Sequence, residues 1–366
     1  MRILKKWIAG TAAALLAAVL FTSTQVEALS AKKAIVLDAQ TGRVLYAQGE
    51  NDQSLIASTT KIMTALIVCE QCNVLDRMKI PAEAVGIEGS SMYLKEGEVL
   101  TLQELLYGLM LRSGNDAAVA LAIYCGGTVE GFAQLMNDKA HRLGMENSHF
   151  VNPNGLDAPG HYSTAKDMAI LAAYAMENPI FRQTVSTKSV TIGTRVLQNH
   201  NKLLWRVDGA DGVKTGYTKA AGRILVSSTT RQGRRIIVVT IDDPNDWQDH
   251  EKLIEEAYSA FTVKTIVSEG EKLGTVEVAG GDAGEVVLLA AEAFSFALRP
   301  DEKVDVYLPA PGFVYAPVVE GAQAGYAHVM VDGVSVGKVP LVYGKTIERT
   351  KEKKLTLLQR IQNWFS

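Results

Sequence analysis

Residues 57–70 read ASTTKIMTALIVCE, and one lysine, Lys61, stands inside a run that is otherwise apolar or small. A run of this kind has to be buried, so the fold that buries it must also bury an ammonium group or give it a use. Ser58 and Lys61 are three residues apart and share a face if the segment is helical. Near a helix start the backbone N–H groups are unpaired and the dipole favours negative charge. A serine there is either an N-cap or a nucleophile. A nucleophilic serine needs a base within hydrogen-bond reach. A lysine one turn on supplies it, provided burial or a second cation leaves it neutral. The alternative is a capping serine with a lysine that snorkels to water. The S-x-x-K spacing alone does not choose between them.

The rest of the chain narrows the choice. Its 366 residues, 47% hydrophobic and 21% charged, are of ordinary globular composition and suggest about two domains. A net charge of -3 argues against a nucleic-acid partner, which would call for a basic excess. The first 28 residues have the three-part layout of a secretory signal peptide. Arg2, Lys5 and Lys6 precede an apolar run from Trp7 to Phe21, and a small-residue site closes at Val26-Glu27-Ala28. The run falls short of the roughly 20 apolar residues of a membrane span. No later segment is long and apolar enough to cross a bilayer, so the mature protein is expected to work outside the cytoplasmic membrane. Cys69, Cys72 and Cys125 remain after residue 28. An odd count is no disulfide framework, and a single C-x-x-C at the end of an apolar helix reads as buried, inert thiols.

Residues 30 to about 264 mix strands and helices. AIVLDAQTGRVLYA predicts two strands turning at Thr41-Gly42. IMTALIVC, LTLQELLYGLMLRS, DAAVALAIYC and GFAQLMNDKAHRLG predict apolar helices, and ILVSSTT and RIIVVTID a hairpin. From about 265 to 345 short strands punctuated by Gly, Pro and an Asp332-Gly333 turn predict a small all-β domain. The end of the chain is charged and then amphipathic.

Two further stretches bear on Lys61. Ser113-Gly114-Asn115 falls where one apolar helix breaks and another begins, and Lys214-Thr215-Gly216 precedes the strand ILVSSTT. Each is weak alone, since Ser-Gly-Asn is common turn chemistry. In this order and placement, S-x-x-K, S-x-N and K-T-G are the set used by serine β-lactamases and penicillin-binding proteins. The chain resembles the low-molecular-mass penicillin-binding proteins that act as D-alanyl-D-alanine carboxypeptidases. The likeness covers nearly all of the mature chain. It includes SSMYLKEGEVLTLQELLYGLMLRSGNDAAVALA, the MNDKAHRLGM helix, FVNPNGLDAPGHYSTAKDMAIL, DGVKTGYT and the β domain with its closing helix.

The resemblance implies a mixed α/β (α+β) catalytic domain at 29–264, with an antiparallel sheet flanked by helices plus a helical lobe. It also implies a small all-β domain at 265–345 and an amphipathic helix at 346–366. By the same likeness Ser58 is the nucleophile, Lys61 its base and Ser113 a proton shuttle to the leaving amine. Asn115 holds the substrate's peptide carbonyl and orients Lys61. Lys214 and Thr215 bind the terminal carboxylate, and the cation of Lys214 helps keep Lys61 neutral. Gly216 completes the motif, and the backbone N–H groups of Ser58 and Tyr217 form the oxyanion hole, each donor worth about 3 kcal/mol. The implied partners are peptidoglycan stem peptides ending in D-Ala-D-Ala, with β-lactams as covalent inhibitors. No cofactor or metal is implied.

The chain departs from the family pattern at two points. Many members carry histidine before GLD where this chain has Asn154, and some carry an arginine after the strand matching RIIVVTI where this chain has DDPNDWQDH. No acidic deacylation base of the class A β-lactamase kind can be assigned, which fits slow penicillin release. Other enzyme classes fit worse. Gly333-Val334-Ser335-Val336-Gly337 matches G-x-S-x-G but sits in a β-hairpin with no histidine after it. His250-Glu251 begins H-E-x-x-H, but Ile254 stands at the second histidine. A serine β-lactamase and a non-catalytic peptidoglycan-binding protein of the same fold stay open as alternatives. At the C-terminus Leu357, Leu358, Ile361, Trp364 and Phe365 share a helical face. Arg349, Lys351, Lys353, Lys354 and Arg360 outnumber Glu348 and Glu352, as suits an in-plane helix on an anionic membrane surface.

Overall fold

In a computed structural model the chain is described over residues 29–309 and 312–350. The signal-peptide segment 1–28 and most of the amphipathic tail, 351–366, lie outside the described residues. The first strands, β1 (Lys33–Asp38) and β2 (Val44–Gln48), form the hairpin expected around Thr41-Gly42, with Gly42 at φ +70°. A 3-10 turn at Ala57–Thr60 leads into α1 (Lys61–Gln71), which is buried from Lys61 to Cys69.

A short hairpin, β3 (Arg77–Lys79) with β4 (Val99–Thr101), precedes α2 (Leu102–Leu111). Thr101 and Glu104 close a capping box there, each satisfying a backbone N–H of the helix start. Next come α3 (Asn115–Gly126) and α4 (Val129–Arg142), the latter capped by Thr128. Thr164 caps α5 (Ala165–Ala175), and Asn178 caps α6 (Pro179–Ser186), whose proline occupies the first turn where its missing N–H costs nothing. The hairpin β5 (Ser189–Ile192) and β6 (Arg195–Gln198) and the single turn α7 (Leu203–Arg206) lead to β7 (Ala210–Thr218), β8 (Gly222–Arg231) and β9 (Arg234–Ile241). The helix α8 (Asp246–Ala260) ends this part of the chain.

The main sheet runs β2-β1-β9-β8-β7, antiparallel throughout. One face packs on the helical lobe, where Ile62, Leu66, Leu109, Phe132 and Phe181 share a core with Ile237 and Val239. The other face carries α8 through Leu253 and Ile254 against Leu225, Ile236 and Val238. A strand covered on both faces reads as an unbroken apolar run, which is why RIIVVTI shows no alternation. The antiparallel sheet flanked by helices, with a helical lobe, that the resemblance implies is the architecture observed. Strand β7 is the open edge of the sheet, and its exposed side meets the start of α1.

The following segment is β-rich. It contains β10 (Thr262–Val267), β11 (Lys272–Ala279), β12 (Glu285–Ala290), β13 (Phe294–Leu298), β14 (Val304–Tyr307), β15 (Phe313–Tyr315), β16 (Gln323–Val331) and β17 (Val334–Tyr343). Six of them form a sheet in the order β14-β16-β17-β12-β11-β15, and β10 pairs with β13. Asp332 and Gly333 turn β16 into β17 with φ +47° and +80°, the positive values a type I′ turn demands. Residues 346–350 continue extended along this domain, with Ile347 bridging to Val318 and Arg349 to Gly281.

The cysteines require a correction. Cys72 and Cys125, expected as free thiols, form a disulfide that joins the ends of α1 and α3. Only Cys69 is a free, buried thiol among the described residues. Parity of count cannot show this, because the pairing depends on two helix ends 53 residues apart meeting in space.

Candidate active site

The 3-10 turn sets Ser58 directly ahead of α1, with Ala57 at φ +44°, an uncommon conformation for a residue with a Cβ. Its neighbours hold it there. A Cβ on Gly155 would lie 1.9 Å from the Ala57 carbonyl oxygen, and one on Gly216 would lie 3.3 Å from the Ser58 nitrogen. The Gly155 backbone therefore approaches the turn more closely than any side chain allows, and the Gly216 backbone more closely than most side chains do. His161 ties in the segment that carries Gly155. Its Nδ1 accepts from the Val151 N–H, which leaves Nε2–H to donate to Thr60 Oγ1 at 2.8 Å. Burial lowers this imidazole to a pKa of about 4, so it stays neutral.

Lys61 is wholly buried, and its Nζ lies 3.0 Å from Ser58 Oγ, 2.7 Å from Asn115 Oδ1 and 2.6 Å from the Asn154 carbonyl oxygen. Burial first, and the charge of Lys214 second, push its pKa well below the ordinary lysine value. A neutral amine has two N–H donors and one lone pair. The two shorter contacts take the donors, and the lone pair is left for the Ser58 hydroxyl. That is the geometry of a base poised on a nucleophile. The Asn154 oxygen is a backbone atom, so a histidine or an asparagine at this position can serve Lys61 equally.

Ser113 and Asn115 sit on the tight link between α2 and α3, with Ser113 at φ +59°. Asn115 donates its side-chain N–H to the Glu88 carbonyl, and its backbone N–H to Ser90. Asp116, buried in the first turn of α3, accepts from Ser91 Oγ, Met92 N and Leu94 N. One loop, 88–94, is thereby fixed to the helix that orients Lys61. Sequence reasoning passed over Asp116; the sign of it was a carboxylate inside the otherwise apolar DAAVALA. Ser113 Oγ is buried with no hydrogen-bond partner among the described residues. An unsatisfied buried hydroxyl is rare enough to call for an explanation, and a substrate group is one.

On β7 the side chains alternate. Lys214 and Gly216 are buried, while Thr215 is half-buried and Tyr217 exposed. Burial lowers the Lys214 pKa to about 7, and its Nζ donates to the Thr215 carbonyl at 2.8 Å. Ser58, Ser113, Thr215, Gly216 and Tyr217 all line one cleft of about 770 Å³. Small-ligand sites fall at roughly 300–1,000 Å³. The structure thus brings all eight residues singled out in the sequence to one place.

Residues 20–245 match the family described as D-alanyl-D-alanine carboxypeptidase. The chain belongs to that family. Residues 261–349 match the C-terminal domain of penicillin-binding protein 5. The carboxypeptidase is 30% identical over 350 residues to the D-alanyl-D-alanine carboxypeptidase DacF of Bacillus subtilis, covering 90% of this chain and 88% of the relative. It is 33% identical over 347 residues to DacC of Escherichia coli, with coverages of 89% and 86%. Among solved structures, penicillin-binding protein 5 from Haemophilus influenzae superposes with a TM-score of 0.78 at 28% identity, covering 88% of this chain and 98% of that one. A mutant of the Streptomyces K15 DD-transpeptidase gives 0.62 at 32% identity, with 63% and 99% covered. The enzyme is a serine-type D-Ala-D-Ala carboxypeptidase.

Proposed function

We propose that Ser58 Oγ attacks the carbonyl of the terminal D-Ala-D-Ala bond of a peptidoglycan stem peptide while Lys61 takes its proton. The observation that carries this reading is the buried Lys61 amine, held by two acceptors with its remaining valence turned to Ser58 Oγ. The developing oxyanion sits between the N–H groups of Ser58 and Tyr217. Asn115 binds the substrate's peptide carbonyl, and Lys214 and Thr215 face the terminal carboxylate. Ser113 relays a proton to the departing D-alanine, and the acyl-enzyme is then hydrolysed with Lys61 again as base. β-Lactams acylate the same serine. No carboxylate hydrogen-bonds to Ser58 or Lys61 among the described residues, which supports slow release of the penicilloyl ester over β-lactamase turnover. The test is D-alanine release from a D-Ala-D-Ala pentapeptide by the protein and by its Ser58→Ala variant. Release by the first and none by the second is expected; release by both excludes Ser58.

The same reading places the enzyme at the outer face of the cytoplasmic membrane, exported by its N-terminal segment and held by the basic, amphipathic C-terminus. Each basic residue near an anionic surface adds on the order of 1 kcal/mol. Co-sedimentation of residues 29–366 with anionic vesicles, lost at high salt and lost when the chain stops at 350, is the expected result. Equal pelleting of the two forms would remove the tail from this role.

A further inference from the structure

The Asn154 carbonyl that receives Lys61 belongs to a loop that closes on itself. Asn152 Oδ1 accepts from the Gly155 N–H at 2.7 Å, and Asn152 Nδ2 donates to the Leu156 carbonyl at 2.9 Å. Asn154 Oδ1 accepts from the Leu156 N–H at 3.0 Å. Side-chain bonds of this kind hold residues 152–156 as one turn. The turn is fastened to the start of α1 at two points. Thr64 Oγ1 donates to the Pro153 carbonyl at 2.7 Å. Thr60, four residues earlier and so on the same face, is reached through His161. That ring accepts the Val151 N–H on Nδ1 at 3.2 Å and donates Nε2–H to Thr60 Oγ1 at 2.8 Å.

Thr60 occupies the N-cap of α1, where a threonine oxygen ordinarily accepts from the helix's own N–H groups. It makes no such bond here, and its oxygen serves His161 instead. His161 is 2% exposed, and the Phe150 ring stands nearly perpendicular to it with centroids 5.8 Å apart. Its two nitrogens therefore bond the loop on one edge and α1 on the other. Only the neutral imidazole offers one acceptor and one donor for this; the imidazolium would set an N–H against the Val151 N–H. With the pKa lowered to about 4, the ring is neutral at pH 7. A neutral amine aims its lone pair only as well as its two donated hydrogens are fixed. For Lys61 one of them is fixed by Asn115 on α3 and the other by this loop.

We propose that His161 is a positioning residue for Lys61: by tying Val151 to Thr60 it holds the Asn154 carbonyl where it orients the amine, and with it the lone pair that faces Ser58 Oγ. This rests on the reading of Lys61 as the base. His161 bonds to neither Ser58 nor Lys61 and acts through the loop alone.

The experiment is benzylpenicillin acylation followed over a range of antibiotic concentrations, which separates the affinity of the first complex from the acylation rate constant. His161→Phe is expected to lower the rate constant about 10- to 100-fold, the scale of a reacting group displaced by about 1 Å, with the affinity little changed. Thr60→Val removes only the acceptor on α1 and should lower the rate constant in the same sense. The double variant should be no slower than His161→Phe alone, because both substitutions break one tie. His161→Gln keeps an amide that can donate to Thr60 and should recover part of the rate. The rate constant belongs to the molecules that react, so an unfolded fraction does not alter it. An unchanged rate constant in His161→Phe and Thr60→Val, with or without a lower melting temperature, overturns the proposal and leaves His161 as a core side chain. Additive losses in the double variant overturn it too, since the two residues would then act separately. If the unsubstituted protein forms no penicilloyl adduct, or Lys61→Arg is acylated as fast as the parent, it is the reading of Lys61 itself that fails.

Discussion

Lys214 lies at the point where stability and chemistry oppose each other. Its folded-state pKa of about 7 is below the ordinary 10.5. Between those values the folded protein binds fewer protons than the unfolded chain, so stability rises with pH, by up to about 1.4 kcal/mol per unit. Below pH 7 the full cost of charging a buried amine is present. Lys214→Met removes it, and the variant should melt higher than the parent at pH 6, with the advantage shrinking toward pH 10; an advantage that grows with pH would contradict the burial argument. The same substitution removes a cation that lowers the Lys61 pKa. As the proposed base Lys61 must be neutral, so the acid limb of acylation should move to higher pH in Lys214→Met. Lys61→Arg should fold normally and lose about 10²–10⁴-fold in penicillin acylation, since arginine cannot surrender its proton. Retained labelling would make Lys61 a structural charge. Ser58, Lys61, Ser113, Asn115 and Lys214 were legible because each is a polar residue where the periodicity demands an apolar one or a turn. The Asn154 carbonyl was not, because a backbone atom has no letter.

The elements around the site are shaped by backbone approach as much as by side chains. Gly155 has φ +82° and leaves no room for a Cβ beside the Ala57 carbonyl. Gly155→Ala should cost about 2–4 kcal/mol from overpacking and positive-φ strain, read by urea unfolding, and should disturb Ser58 enough to slow penicillin labelling. Unchanged stability and labelling would show that the turn can yield. The helices α1 to α4 and the hairpins β1–β2 and β8–β9 were readable from period and turn chemistry. The helix α8 was not, because its start lies in DDPNDWQDH, a cluster of turn formers that reads as loop, and its apolar stripe is thin: Leu253, Ile254 and Ala257. The small hairpins β3–β4 and β5–β6 escaped notice because strands of three or four residues carry no usable period. The Cys72–Cys125 link was missed because it is a property of where α1 and α3 end relative to each other.

At the scale of the whole molecule, Arg43 joins the catalytic part to the β domain. From the hairpin β1–β2 its guanidinium reaches Glu302 and the Ala297 carbonyl, and it lies 5.0 Å from the Phe261 ring centroid and 5.1 Å from that of Phe296. Removing it strips Glu302 of its guanidinium partner and leaves it the Arg299 backbone N–H alone, the costly half of a broken pair. Arg43→Ala should therefore expose residues 261–268 to limited proteolysis, while D-alanine release from a soluble peptide stays as it was; a cleavage pattern identical to the parent would show that other contacts hold the domains. The two-part organisation was visible in the sequence as a change of texture near residue 265, but Arg43 lies 254 residues from Ala297, and no local pattern announces so distant a contact. In the proposed mechanism this architecture serves one chemical event, transfer of an acyl group to Ser58. The direct test is mass spectrometry of the protein after benzylpenicillin and proteolysis. One added antibiotic mass, carried by the peptide that contains Ser58 and absent from Lys61→Arg, is the expected result. An adduct on a different residue, or D-alanine release by a protein that forms no adduct at all, would contradict it.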